Sequence, residues 1–278
     1  MTEPAAANAP RRVLLWVQFD GTEFAGFQKQ APGVRTVAGE LLTAWQALLG
    51  EAVDPKSSSR TDAGVHARRM PVLVTTQTRV PARGVMLGLN SMLPADLAVI
   101  AAGDVGPEFD VRGDATGKRY VYRVMVGDAR QPLWRRTAWH VRGPLDVAAM
   151  QAAAACFEGV HDFSTFRSVA CEAKSTLRHL REVSVAAVDP GVAITVDGNA
   201  FLHNMVRILA GTLVDVGRGR FAPDAMETML AAADRARAGQ TAPPHGLTLD
   251  EVFYGPSGAR QGFDYKNLIE HMAASRPG

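Results

Sequence analysis

A carboxylate, a guanidinium and an imidazole stand within one short stretch, Arg60-Thr61-Asp62-Ala63-Gly64-Val65-His66, entered through Ser57, Ser58 and Ser59. An aspartate is ionised at neutral pH, so Asp62 is fit for nucleophilic attack or proton abstraction without help. The small, turn-forming residues around it suit a loop displayed on a rigid scaffold, where catalytic groups tend to sit. The same residues also suit a plain tight turn, in which His66 only caps the next strand. Asp62 and His66, four apart, would serve as paired metal ligands on a helix, but Asp62-Ala63-Gly64 reads as a turn and no third ligand stands out.

Two further side chains stand out. Arg207 lies in Leu202-His203-Asn204-Met205-Val206-Arg207-Ile208-Leu209-Ala210-Gly211, apolar on nearly every side. A permanent cation there calls for a carboxylate partner or a route to water. Asp215 is eight residues on, about 12 Å along a helix at roughly 1.5 Å per residue, too far for a direct pair. A partner from another element is expected, with Asp62 the obvious choice. Tyr120 and Tyr122 are two apart on a strand and so share a face with Val124 and Val126, while Arg119, Val121 and Arg123 face the other way. Packing in a core is the ordinary fate of such rings, and forming the floor of a pocket for a flat base is the sharper one.

The elements that must position these groups follow from periodicity and punctuation. Val13–Phe19 reads as a strand, and Asp20–Gln28 as a loop with two glycines. Thr36 caps a helix with apolar stripe Val37, Leu41, Ala44, Trp45 and Leu48, which Gly50 ends. A short strand near 51–56 leads into the Asp62 loop, and Met70–Thr76 returns. Pro81 opens a second helix ending before Pro94, and Leu97–Ala102 is a further strand. That order, β-α-β-β-α-β, is the split βαβ arrangement, and it repeats. Lys118–Val126 is a strand, Leu145–Phe157 a helix, Leu177–Val188 and Val192–Val196 a hairpin around Asp189-Pro190-Gly191. Ala200–Val216 is a long apolar helix, Pro223–Arg237 an inserted one, and Thr248–Tyr254 the last strand. The fold expected is α+β, two ferredoxin-like (split βαβ, RRM-like) halves with antiparallel sheets around a central catalytic cleft. The halves are placed at 11–112 and 113–254, between a disordered N-terminal tail, 1–10, and a C-terminal tail, 255–278, in which Leu268–Ala273 could form a helical turn.

With 278 residues, 47% of them apolar, the chain has material for one large core or two modest ones. No apolar run reaches the roughly 18–20 residues that span a bilayer, and Met1–Pro10 lacks the pattern of an export signal. The chain reads as soluble and cytoplasmic. Cys156 and Cys171 stand alone, which speaks against a zinc site or disulfide framework and for buried free thiols. The net charge of +2 says little, but its distribution says more. Lys118, Arg119, Arg123, Arg130, Arg135 and Arg136 face one acid, Asp128. Arg167, Lys174, Arg178 and Arg181 face Glu172, and Arg60, Arg68 and Arg69 surround Asp62. Basic patches on a nearly neutral protein suit a polyanion laid along one face, although charge runs are also ordinary solvated surface.

Several blocks, in order, carry a resemblance. Ser59-Arg60-Thr61-Asp62-Ala63-Gly64-Val65-His66-Ala67 resembles the GRTDAGVHA signature of the TruA family of tRNA pseudouridine synthases. Phe19-Asp20-Gly21-Thr22 with Gly26-Phe27-Gln28 is similar to its YDGT and GWQ, and Leu89-Asn90 with Leu93-Pro94 to its LN..LP. Arg119-Tyr120-Val121-Tyr122 resembles RxYxY, Gly159 with His161-Asp162-Phe163 resembles GxHDF, and Phe201-Leu202, Met205-Val206-Arg207 and Gly211 resemble FLxxMVRxxxG. Ser59, Phe19, Phe27 and Ala38 depart from the usual Gly, Tyr, Trp and Gln.

The resemblance implies isomerisation of uridine to pseudouridine at positions 38, 39 and 40 of the tRNA anticodon stem-loop, by a homodimer that needs no metal or organic cofactor. It implies Asp62 as the nucleophile, Arg207 as the cation that keeps Asp62 charged and aimed, Tyr120 as the ring stacked on the flipped base, and Arg60 as the residue that enters the RNA. Addition of Asp62 to the sugar, addition to the base and abstraction of a ribose proton all stay open. A competing expectation is an RNA-binding module without chemistry, since ferredoxin-like units often bind RNA.

Overall fold

The computed structural model describes residues 10–255. The expectations for the two tails therefore lie outside the described residues, apart from positions 10 and 255. Contacts divide the chain into two compact units, residues 10–116 with 252–255, and residues 117–251. No helix among the described residues is long and apolar enough to cross a membrane.

The first unit is built on β1 (Arg11–Phe19), whose residues Val13 to Val17 are all buried. A strand buried on both faces reads as a continuous apolar run because it is covered on each side. It pairs antiparallel with β3 (His66–Thr76), Leu14 opposite Leu73, and with β4 (Leu97–Asp104), Trp16 opposite Ala101. On one face Leu14, Trp16, Leu73 and Ala101 form a core with Val111. Between them in sequence come α1 (Val37–Leu49), β2 (Lys56–Ser57) and α2 (Ala82–Asn90). α1 begins where Thr36 Oγ1 accepts from the Gly39 amide (3.2 Å) and ends at Gly50, φ 66°. Asn90, the last residue of α2, clamps Val99 of β4 by donating to its carbonyl and accepting from its amide, both at 2.8 Å.

The element order of this unit is the one the sequence leads one to expect, with two local corrections. The strand expected near 51–56 is only Lys56–Ser57. Glu51 instead caps the far end of β3, accepting from the Thr76 hydroxyl and the Gln77 amide, and Pro55 has no amide with which to extend the ladder. β3 starts four residues earlier than Met70, at His66, so the imidazole is strand-borne and not part of the turn.

The second unit contains β5 (Ala115–Val126), β6 (Trp139–Val141), α3 (Val147–Ala155), β7 (Gly159–Asp162), β8 (Leu177–Val188), β9 (Gly191–Gly198), α4 (Met205–Gly217) and α5 (Ala225–Ala232). β10 (Leu247–Tyr254) follows them in the chain. The strand order is β5-β9-β8-β7, antiparallel throughout, with β6 parallel to β5. The fold is mixed α and β with mostly antiparallel pairing. Alternation places Tyr120, Tyr122 and Val124 of β5 opposite Val196, Ile194 and Val192 of β9, all buried. β6 and β7 went unforeseen, since three or four residues carry too little alternation to be seen. α4 starts at Met205 instead of Ala200 because Asn204 takes a left-handed conformation, φ 60°, that a helix cannot continue through. Ala233, φ 50°, ends α5 early in the same way, leaving only a 3-10 turn at Arg235–Arg237. Both cysteines are free thiols, half-buried instead of buried.

Tyr122 is fully buried and its hydroxyl donates to the Pro243 carbonyl at 2.8 Å. Burial pushes its ionisation far above the ordinary value of 10, and the nearby Arg207 charge only partly opposes this. The folded state therefore keeps a proton that the unfolded chain releases above about pH 10, so the stability Tyr122 contributes is present below that pH and lost as pH rises past it. Tyr122→Phe should cost about 1–2 kcal/mol at pH 8 by stranding the Pro243 carbonyl. In urea unfolding at pH 8, 10 and 11, the gap between wild type and variant should close as pH rises. A gap independent of pH would refute the assignment.

Candidate active site

The Asp62 loop is held from below by the loop after β1. Phe27 N–H donates to the Thr61 carbonyl (3.2 Å), Gly64 N–H donates to the Phe24 carbonyl (3.2 Å), and Val65 N–H closes the turn on the Asp62 carbonyl (3.2 Å). Backbone contacts this close require glycine on the facing loop. A Cβ on Gly26, φ 98°, would lie 2.6 Å from Thr61 O, and one on Gly21 would lie 2.0 Å from Val65 O. The register shift between Val17 and Phe19 in the β1–β3 pairing comes just before this loop, where such irregularities re-aim a chain.

His66 takes part in the clamp. Its ring is buried, and Nδ1 accepts from the Gly21 amide at 2.9 Å. Asp20 Oδ1 lies 3.2 Å from the same nitrogen but is itself taken up by the Thr22 amide and hydroxyl. A nitrogen that accepts from Gly21 cannot also donate to Asp20, so the amide contact fixes the tautomer with its proton on Nε2. His66 thus holds the backbone of the neighbouring loop. Among the described residues no three His, Cys, Asp or Glu side chains are grouped as metal ligands.

A second brace lies behind Phe24. Arg35 makes a two-pronged pair with Asp96, 2.8 Å on each arm, reaches Glu40 at 3.0 Å, and lies 4.2 Å from the centre of the Phe24 ring. The Arg35 hydrogen bond holds the Asp96 carboxyl below its usual range. Arg35 O accepts from Ala25 N–H, and Asp96 O from Asp20 N–H, so the two members of one ion pair hold the clamping loop at Asp20 and at Ala25. Arg60 is exposed and Asp62 half-buried at the head of the loop so braced. Next to them, Ser59 Oγ and Thr61 Oγ1 are buried with no hydrogen-bond partner among the described residues.

The second unit carries the other two expected site residues. Tyr120 is 9% exposed and stands edge-on to Phe201, ring centres 5.1 Å apart. Arg207, in the first turn of α4, donates through Nε to Ala242 O and through Nη1 to Asn204 Oδ1, both at 2.8 Å, while its own carbonyl accepts from Ala242 N–H. The left-handed Asn204 that delays α4 therefore also supplies an acceptor for Arg207. Asp215 is excluded as its partner, as the helix geometry requires, and pairs with Arg220 at 2.9 Å. Asp62 and Arg60 thus belong to the first unit, and Tyr120 and Arg207 to the second. The sequence reading missed the bracing role of His66, Arg35 and Asp96. The two glycines of the 20–28 loop were the one local signal of a close approach, whereas Arg35 and Asp96 are 61 residues apart and signal nothing locally.

Comparison with known proteins extends the match. A family model described as tRNA pseudouridine synthase covers residues 153–255. The tRNA pseudouridine synthase A of Pelobacter propionicus is 47% identical over 244 residues, 88% of this chain and 100% of that protein. That of Geotalea uraniireducens is 46% identical over the same shares, and that of Myxococcus xanthus 44% identical over 90% of this chain and 96% of its own. Identity at that level, running through both units, means that the chain belongs to the tRNA pseudouridine synthase A family, the TruA family.

Proposed function

We propose that this protein isomerises uridine to pseudouridine at positions 38, 39 and 40 in the anticodon stem-loop of tRNA, acting in the cytoplasm as a homodimer. The two units are read as two ferredoxin-like halves that supply complementary parts of one catalytic cleft, Asp62 and Arg60 from the first and Tyr120 and Arg207 from the second. In the reaction the bond between the ribose and N1 of the base breaks, the base turns, and a carbon–carbon bond forms to C5. C5 gives up its proton and N1 gains one, so the net change is an isomerisation.

Each residue has a part suited to its chemistry. Asp62 is the nucleophile, with a carboxylate ionised at working pH. Arg207 keeps that carboxylate charged and aimed, and its bonds to Ala242 and Asn204 fix where its guanidinium stands. Tyr120 stacks on the extruded base, and Arg60, exposed beside Asp62, enters the helix and holds the base out. The reaction requires no metal or organic cofactor.

The observation that supports this reading most is the 47% identity over the whole of a tRNA pseudouridine synthase A, together with an Asp62 loop braced at Thr61, Gly64 and Val65. The test is release of tritium from C5-labelled uridine in an unmodified tRNA transcript, with chelator present. Release should occur, and should stop when positions 38, 39 and 40 are all cytidine. Binding without release would favour an RNA-binding module without chemistry, and release unaffected by those three changes would move the target elsewhere.

A further inference from the structure

The basic run of β5 divides into two groups. Arg119 of β5 and Arg181 of β8 are committed to Asp197 of β9, which is 5% exposed, at 3.1 and 2.7 Å, and so belong to the sheet. Arg130, Arg135 and Arg142 are exposed, and their side chains enter none of the ion pairs found among the described residues. Between Lys118 and Arg142 the sequence holds a single acid, Asp128, against seven arginines and lysines.

These three arginines are displayed on a built surface. β6 runs parallel to β5, Val124 opposite Trp139, so the connection at 127–138 must double back on itself. It is held at its neck, where Gly127 N–H donates to Val141 O (3.2 Å) and His140 Nε2 lies 2.7 Å from Gly127 O. It is held at its tip, where Trp134 N–H donates to Gln131 O and the Thr137 and Ala138 amides both donate to Trp134 O, each at 3.0 Å. The Trp139 ring anchors it edge-on to buried Tyr122, centres 6.4 Å apart. The 3-10 turn Pro132–Trp134 raises Leu133, 95% exposed, at the apex between Arg130 and Arg135. The neck pairing brings Arg142 to the base of the same loop.

We propose that this β5–β6 loop is a grip for the ribose–phosphate backbone of the tRNA, separate from the nucleotide being isomerised, with Arg130, Arg135 and Arg142 on phosphates and Leu133 against the adjoining sugar or base. The choice of tRNA rests on the function proposed above. Guanidinium groups suit phosphate oxygens in geometry and stay charged at every working pH. A loop already held in shape loses little freedom on binding, and contacts of this kind position an RNA without reading its sequence.

The experiment measures affinity for an unmodified tRNA transcript across a series of salt concentrations, together with steady-state isomerisation, for wild type, Arg130→Gln/Arg135→Gln, and the control Arg79→Gln/Arg83→Gln. The control removes the same charge from exposed residues of the first unit. The loop variant should bind about tenfold more weakly, with a salt slope lower by about 2, close to one for each phosphate that is no longer neutralised. Its KM should rise about tenfold with kcat at saturating tRNA unchanged, and the control should match wild type. Equal weakening by the control would reduce the effect to net charge and overturn the grip. So would an unchanged slope with isomerisation intact, or a changed oligomeric state with tRNA affinity unaltered, which would make the loop a contact between copies. If wild type binds tRNA with the predicted difference in slope but does not isomerise it, the isomerase reading fails and the grip stands.

Discussion

Asp62→Ala should abolish tritium release, lowering kcat by at least about 10³-fold, the scale on which loss of a catalytic nucleophile is felt. It should leave the fold and tRNA affinity close to wild type. The expectation that folding survives comes from the way the loop is held. Thr61 O, Gly64 N–H and Asp62 O all bond through the backbone, and none of these contacts needs the Asp62 side chain. Asp62→Asn sharpens the experiment because it keeps the size of the side chain and removes its charge. If Asp62 only shaped a turn, asparagine, which favours turns as aspartate does, would serve nearly as well. If the carboxylate is the nucleophile, both variants are equally dead. Asp62→Glu keeps the charge and displaces it by one methylene, and a misplacement on the order of 1 Å should still remove about 10²-fold. The measurements are single-turnover release from labelled tRNA and filter binding at one salt concentration. Full activity in the asparagine variant would remove Asp62 from the chemistry, and loss of binding parallel to loss of turnover would make it a recognition residue.

How far the sequence discloses this arrangement depends on the range over which each feature acts. The start and end of α1 were legible because Thr36 and Gly50 act within one turn of themselves. The shared face of Tyr120 and Tyr122 was legible because alternation along β5 is a local rule, and both rings are buried on that face. The Asp62 turn was legible as a block of residue types. The start of α4 was not, since Asn204 looks like one more polar residue in an apolar run until its left-handed backbone is seen. The longer-range ties left no mark at all. Arg35 with Asp96, Tyr122 with Pro243, and Arg207 with Ala242 join positions far apart in the chain, and although Arg207 stands out in its apolar segment as a cation in need of a partner, nothing local points to Ala242. His66 shows both sides of this. Its place beside the Asp62 loop was plain, but its task of accepting from Gly21 depends on a loop 45 residues earlier. Residue identity thus announced which groups could react, and long-range contacts determine where they are held.

Gly26→Ala should reproduce much of the loss at Asp62 without touching any reacting atom. Gly26 has φ 98°, which an alanine adopts only with strain, and the added Cβ would lie 2.6 Å from Thr61 O and 3.3 Å from the Asp62 carbonyl carbon. Both neighbours are backbone, so no side chain can swing aside, and one of the two loops must shift. The Thr61 carbonyl is the acceptor for Phe27 N–H, so the shift moves the residue that precedes Asp62. Stability should fall by about 1–3 kcal/mol, the usual range for a strained backbone. The more telling expectation is kinetic, with kcat down about 10²-fold and KM for tRNA within a few-fold of wild type, because the carboxylate is displaced while the RNA-binding surface is kept. Gly33→Ala separates strain from displacement. Gly33 also has a left-handed backbone, φ 87°, but a Cβ there meets nothing within 4 Å. That variant should lose stability through strain alone, about 1 kcal/mol, and keep its kcat. Urea unfolding and steady-state isomerisation of the two variants decide the matter. If Gly26→Ala is destabilised like Gly33→Ala but retains wild-type kcat, the loop at residues 20–28 does not set the position of Asp62.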